Sequence, residues 1–221
     1  MRKPAGIATL FATALVLISC GSKDPPFGHY DGKVTATWVE GRNMVLTEDF
    51  TYVDGSGTRW DAPRGSTIDG ASIPRAFWTV IGGPFEGSYR YASVIHDVYC
   101  VRGEQHLPGA RPWQKVHRMF YDAMRCSGVP DSKALVMYGA VYKFGPTWDL
   151  PPTWWERTFI ELKRLFGPLG YQITGPKNPD ILLGPDPHLT HATEQDYKSI
   201  EQLVEQQHIT TPEELEQALK Q

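Results

Sequence analysis

Tyr91-Ala92-Ser93-Val94-Ile95-His96-Asp97 is the stretch from which the fold is read. It lies within Ser88 to Val101, an apolar run without Gly or Pro and long enough for a buried helix. A His and an Asp side by side in such a helix are costly to bury unless each is paired or binds a cation. Adjacent helical positions diverge by about 100°, so the two side chains must address different partners.

Working outward, Pro112 to Ser127 predicts a second helix. Val116, Phe120, Ala123 and Met124 form its apolar stripe, with Pro112 near the start and Gly128 just past the end. A modest loop joins it to the His-Asp helix, which makes the two natural antiparallel neighbours. A further helix is expected over Ser132 to Lys143, and a short one over Arg75 to Ile81, before Gly82-Gly83-Pro84. Upstream the texture is extended. Val34 to Val39 and Met44 to Val53 read as strands, the second followed by the turn Asp54-Gly55-Ser56-Gly57, and Ser66 to Ile68 reads as a short extended piece. The class is α+β, with N-terminal antiparallel hairpins packed on a helical part whose antiparallel helix pair carries the His-Asp motif.

Beyond this core, residues 151–171 hold an amphipathic aromatic helix with Trp155, Phe159, Leu162 and Phe166 on one face. It either packs on the domain or lies in a membrane interface. Residues 172–221 are a Pro/Gly-rich loop and an acidic tail of two helices, the second opened by Thr211-Pro212-Glu213-Glu214, a capping-box pattern with Pro in the first turn.

At the other end, Arg2 and Lys3 precede an apolar run from Ala5 to Ile18 that closes at Ser19-Cys20, the layout of a secretory signal over residues 1–19. The run is shorter than the roughly 20 residues a spanning helix needs. Leu17-Ile18-Ser19-Cys20 resembles the bacterial lipobox. That resemblance implies acylation of Cys20. The Pro and Gly content that follows suggests a lipidated tether over residues 20–30, with a core domain over 31–150 after it. The lipobox resemblance also implies a location in the cell envelope, on the outer membrane facing the periplasm in a Gram-negative host, because Gly21 rather than an acidic residue directly follows Cys20. Each buried CH2 of an acyl chain adds about 0.8 kcal/mol of membrane affinity. With a net charge of −3 and no run of Lys or Arg, the 221-residue chain has no basis for phosphate-driven nucleic-acid binding. In an oxidising compartment the remaining cysteines, Cys100 and Cys126, are expected to pair, with two buried thiols as the alternative.

The polar groups set against apolar surroundings are Asp69 and Ser72 in Ile68-Asp69-Gly70-Ala71-Ser72-Ile73-Pro74, the His96-Asp97 pair, and His117. Taken singly, Asp69 or Ser72 caps a helix after Pro74 and His96 is a satisfied core histidine. Taken together, they suggest a metal or catalytic site. Asp69, on a glycine-containing loop, completing an oxygen-rich site with Asp97 of the helix suits calcium, whereas His96 and His117 converging with Asp69 or Asp97 suit zinc.

At these residues the chain resembles a family of phages and bacteria, the domain of unknown function 1353. The likeness is carried by Gly65 to Pro74, Trp78, Tyr91 to Asp97, Arg111 to Met124 and Gly128-Val129, and spans roughly Met44 to Gly145. More distantly, Asp69-Gly70-Ala71-Ser72 followed by His96-Asp97 is similar to the calcium loop and His-Asp helix of secreted bacterial phospholipases A2. That likeness implies His96 as general base, Asp97 as calcium ligand, loop carbonyls around Gly70 as further ligands, His117 in the place of the orienting carboxylate, and phospholipid as substrate. The position four residues beyond the His, a tyrosine in the phospholipases, is Cys100 here, and a neutral His117 does not stabilise an imidazolium as a carboxylate does. The chemistry therefore divides between acyl-ester hydrolysis, another metal-dependent hydrolysis, and a non-enzymatic envelope or phage-related binding role.

Overall fold

The computed structural model describes residues 26–41, 43–70, 78, 82–83, 86–150 and 192–220. The signal segment with Cys20, the loop from Ala71 through Pro74, the body of the helix expected over Arg75 to Ile81, and the aromatic helix of 151–171 lie outside the described residues.

Among the described residues six short strands form two antiparallel three-stranded sheets. β1 (His29–Asp31), β4 (Phe50–Val53) and β5 (Arg59–Ala62) make one, in the order β1-β4-β5. β2 (Ala36–Glu40), β3 (Asn43–Leu46) and β6 (Thr67–Ile68) make the other, in the order β2-β3-β6. The turn after β4 closes as the sequence suggests. Asp54 Oδ1 accepts from the Ser56 and Thr58 amides, both at 2.9 Å, and Gly57 takes the positive φ of 83° that the reversal needs. The single strand expected over Met44 to Val53 is two, one in each sheet, separated at Thr47 to Asp49. β1 takes in the last two residues of the segment assigned to the tether, so the folded part begins slightly earlier than the Pro and Gly content there suggests. Gly28 is what admits it: a Cβ there would overlap the Val53 carbonyl oxygen, and its φ is 74°. Tyr30 then reaches from β1 to donate its hydroxyl to the Ala123 carbonyl at 2.7 Å.

Among the described residues five helices follow: α1 (Arg90–Glu104), α2 (Trp113–Cys126), α3 (Asp131–Phe144), α4 (Glu194–Gln206) and α5 (Pro212–Ala218). α1 packs on β5, β6 and α2, and α3 packs on α2, α4 and α5. The predicted stripe of α2 is its buried face, and its end is closed by Val129 N–H bonding to Met124 O and Gly128 at φ 79°. The acidic tail helices carry capping boxes, Thr193 with Asp196 and Thr211 with Glu214. They are part of the core: Ile200, Val204 and Leu215 are buried, and Ile200 and Leu215 close over Gly139 so tightly that a Cβ there would come within 2.9 Å of Ile200 Cγ2. Arg118 of α2 pairs with Glu213 at the start of α5.

Gly103, in the last turn of α1, is covered by the Trp148 indole, which donates Nε1–H to Arg111 O at 2.8 Å. Alanine normally stabilises a helix interior by roughly 0.5–1 kcal/mol relative to glycine. Here a Cβ would overlap the indole, so Gly103→Ala is expected to destabilise by about 1–3 kcal/mol, read from urea unfolding. A stability equal to or above wild type would show that Trp148 does not seal this end of α1.

Candidate functional site

Every described polar residue singled out on α1 and α2 is buried. His96 and His117 are 0% exposed and Asp97 is 2% exposed. Their placement follows from the helical period: His96 faces α2, and Asp97, about 100° round the helix, faces the loop after β6. His96 Nε2 lies 2.9 Å from His117 Nδ1, and His117 Nε2 lies 3.1 Å from the Pro146 carbonyl oxygen. Cys100, one turn beyond His96 on the same face, sets its Sγ 3.7 Å from His96 Nδ1 and 3.6 Å from Nε2. Phe120 lies over the His96 ring at 4.7 Å between centroids, and Trp113 and Trp148 flank His117.

A carbonyl oxygen only accepts, so these contacts fix the tautomers. His117 donates Nε2–H to Pro146, which leaves Nδ1 to accept the Nε2–H of His96. His96 Nδ1 is then left to accept from the Cys100 thiol. The result is a chain of neutral groups from Cys100 through both imidazoles to Pro146. Burial keeps the rings uncharged. Desolvation pushes His117 down to about 4, with the Pro146 hydrogen bond opposing, and holds His96 well below its ordinary value, with His117 adding to the effect.

The structure brings together His96, His117 and Cys100, and separately Asp97 and Gly70. Asp97 Oδ2 accepts the Gly70 N–H at 2.8 Å, and Gly70, at φ 99°, is buried while Asp69 is exposed. In the phospholipase-like arrangement the loop turns carbonyl oxygens toward a cation shared with the Asp carboxylate, and His96 opens to a substrate water. Here the loop turns an amide N–H to Asp97, and His96 is sealed beneath Phe120.

The expected disulfide does not form; Cys100 and Cys126 are not bonded to each other. Cys100 sits at the level of His117, whereas Cys126 is nine residues further along α2, about 13 Å along its axis. A bridge needs Cα atoms within about 7 Å. Cys126 Sγ instead donates to Gly28 O at 3.4 Å. Compartment chemistry thus drew Cys100 away from its actual neighbours. The signal that identifies them is the His96-x-x-x-Cys100 spacing, which places both on one helical face.

Residues 44–141 match the family described as "Protein of unknown function (DUF1353)". Two relatives come from Sinorhizobium fredii (strain NBRC 101917 / NGR234). The uncharacterized protein y4jT is 39% identical over 157 residues, which are 68% of this chain and 45% of that protein. The uncharacterized protein y4iH is 42% identical over 106 residues, 48% of this chain and 42% of that one. The chain therefore spans less than half the length of either relative. No solved structure matches.

Two buried neutral histidines make stability sensitive to acid. Their folded pKa values are lowered, so their contribution is complete above the unfolded value of 6.5 and is lost as the pH falls toward the folded values. Asp122 acts oppositely, because burial raises its carboxyl to about 6 and it binds a proton in the folded state first. Two groups against one leave a net loss of stability as the pH falls from roughly 6 toward 4. Urea midpoints measured across that range are expected to fall accordingly, and more steeply in Asp122→Asn. A flat wild-type profile would mean the imidazoles are protonated inside the fold. Maleimide added to unfolded, unreduced protein is expected to label both Cys100 and Cys126, and recovery of a peptide bridging the two would contradict their separation.

Proposed function

We propose that this protein, whose residues 44–141 form a domain of the family of unknown function 1353, is a lipid-anchored component of the bacterial envelope that works by binding rather than by hydrolysis. The observation that carries the reading is the complete burial of His96 with both ring nitrogens engaged, one toward His117 and one toward Cys100. A general base must reach its substrate proton directly or through one water. Neither nitrogen of His96 has that access in this packing.

Two further features support it. The carboxylate of Asp97, the calcium ligand in a phospholipase-like site, is committed to the Gly70 amide. β2 carries Trp38 and Val39 at 64% and 65% exposure, apolar surface of the kind a binding module presents. Anchoring rests on the Leu17-Ile18-Ser19-Cys20 sequence, which places the domain beside a bilayer and in reach of envelope components. No described helix is long and apolar enough to cross a membrane.

Palmitate supplied to expressing cells is expected to label the protein, and the label is expected to disappear in Cys20→Ala, which tests the anchor. The purified protein is expected to leave phospholipid vesicles unhydrolysed with and without calcium. Calcium-dependent release of fatty acid above the vesicle background would overturn the non-hydrolytic reading while leaving the anchor untouched.

A further inference from the structure

His96, Cys100 and His117 each turn a ligand-type atom toward one point between α1 and α2, and those atoms all lie within 4.8 Å of one another. We infer that these three side chains form a buried binding site for a borderline-to-soft transition-metal ion of the zinc class. Donor chemistry, spacing and support each point to such an ion.

Two imidazole nitrogens and a thiolate are the donors zinc takes, and they exclude calcium and magnesium, which require oxygen. No carboxylate belongs to the group. With metal–nitrogen bonds of about 2.0 Å and metal–sulfur bonds of about 2.3 Å, a tetrahedral ion separates its ligand atoms by roughly 3.3–3.5 Å. His96 Nε2 stands 3.6 Å from Cys100 Sγ and 2.9 Å from His117 Nδ1. An ion therefore needs a few tenths of an ångström of opening between the imidazoles and closure of Cys100 toward His117, a pair separated by no more than 4.8 Å, movements that ring and thiol rotation supply.

Metal-ligating histidines characteristically donate their other ring N–H to a backbone carbonyl or a carboxylate, which fixes the ring and its tautomer. His117 already does so through Nε2 to Pro146 O, leaving Nδ1 without a proton and directed at His96. On binding, His96 moves its proton from Nε2 to Nδ1, so Nε2 faces the ion. The Cys100 thiol releases its proton to solvent, leaving a thiolate. The His96–His117 hydrogen bond is exchanged for two metal–nitrogen bonds, and one proton leaves per ion bound. The spacing on α1 is one helical turn, so His96 and Cys100 act as a bidentate unit on a rigid element, and α2 supplies the third ligand.

The full chain, purified without chelator, is expected to retain close to one zinc-class ion per molecule through dialysis. After chelator treatment, added zinc is expected to raise Tm. Added cobalt(II) is expected to give a thiolate-to-metal charge-transfer band that persists in Cys126→Ser and disappears in Cys100→Ser. If Cys100→Ser does not fold, protection decides instead: in the native wild-type protein zinc should slow alkylation of Cys100 and leave Cys126 unaffected. Absence of bound metal together with an unchanged Tm and no charge-transfer band would overturn the site and leave the three groups as a hydrogen-bond chain alone. A band that survives in folded Cys100→Ser would overturn it equally.

Discussion

The fold depends on how α1 disposes of two polar side chains that it carries at adjacent positions inside the core. Moving an uncompensated polar group from water into an apolar interior costs several kcal/mol, and α1 buries His96 and Asp97 almost completely. The requirement is met by facing two structures at once. His96 hydrogen-bonds across to α2, and Asp97 hydrogen-bonds back to the loop that leaves β6. Those bonds specify the rotation of α1 about its own axis. A rotation by one residue would remove both partners together, so sheet, loop and helix pair are locked in a single register.

From that axis the remaining contacts extend outward in order. Tyr99, two residues beyond Asp97, accepts the Asp61 N–H at 3.1 Å and meets Trp60 edge-on, which ties α1 to the β4-β5 hairpin. Arg111 lies 3.9 Å over the Trp60 ring and donates to Arg59 O, bringing the loop between α1 and α2 onto the same hairpin. Its own carbonyl receives the Trp148 indole N–H, while Pro146, two residues earlier, receives His117. The segment after α3 is therefore held at two points by the same helix pair, and one of them terminates the buried histidine chain.

Local patterns in the sequence carried much of this architecture. The stripe Val116, Phe120, Ala123 and Met124 read as the buried face of α2 because apolar periodicity is a local property, and the capping box of α5 was legible for the same reason. β1 was not, since three residues behind a Pro/Gly stretch carry no period of their own. Their strand identity comes from Tyr52 and Val53 across the sheet. Nor did composition indicate that the acidic tail belongs to the core. That follows from Gly139, whose missing side chain lets Ile200 and Leu215 approach α3. At the candidate site, His96, Asp97 and His117 stood out as costly groups in apolar runs, but their partners were non-local. Cys100 was read through its compartment instead of its helical face, and Gly70 through its carbonyl instead of its amide.

That last difference bears on what a Asp-Gly loop followed by a His-Asp helix signifies. In a calcium-dependent hydrolase such a pattern gathers oxygen ligands and an accessible imidazole around one ion. The same residue types make a different object when the loop presents N–H to the carboxylate and the imidazole is capped by Phe120. Asp97 then closes the loop onto the helix, and His96 closes one helix onto the other. The two roles separate in space because the residues are adjacent in sequence, about 100° apart on α1. A single ion cannot readily draw on both. Oxygen chemistry at Asp97 and nitrogen–sulfur chemistry at His96 thus belong to different faces of α1, and among the described residues it is the second face that brings three donor side chains together.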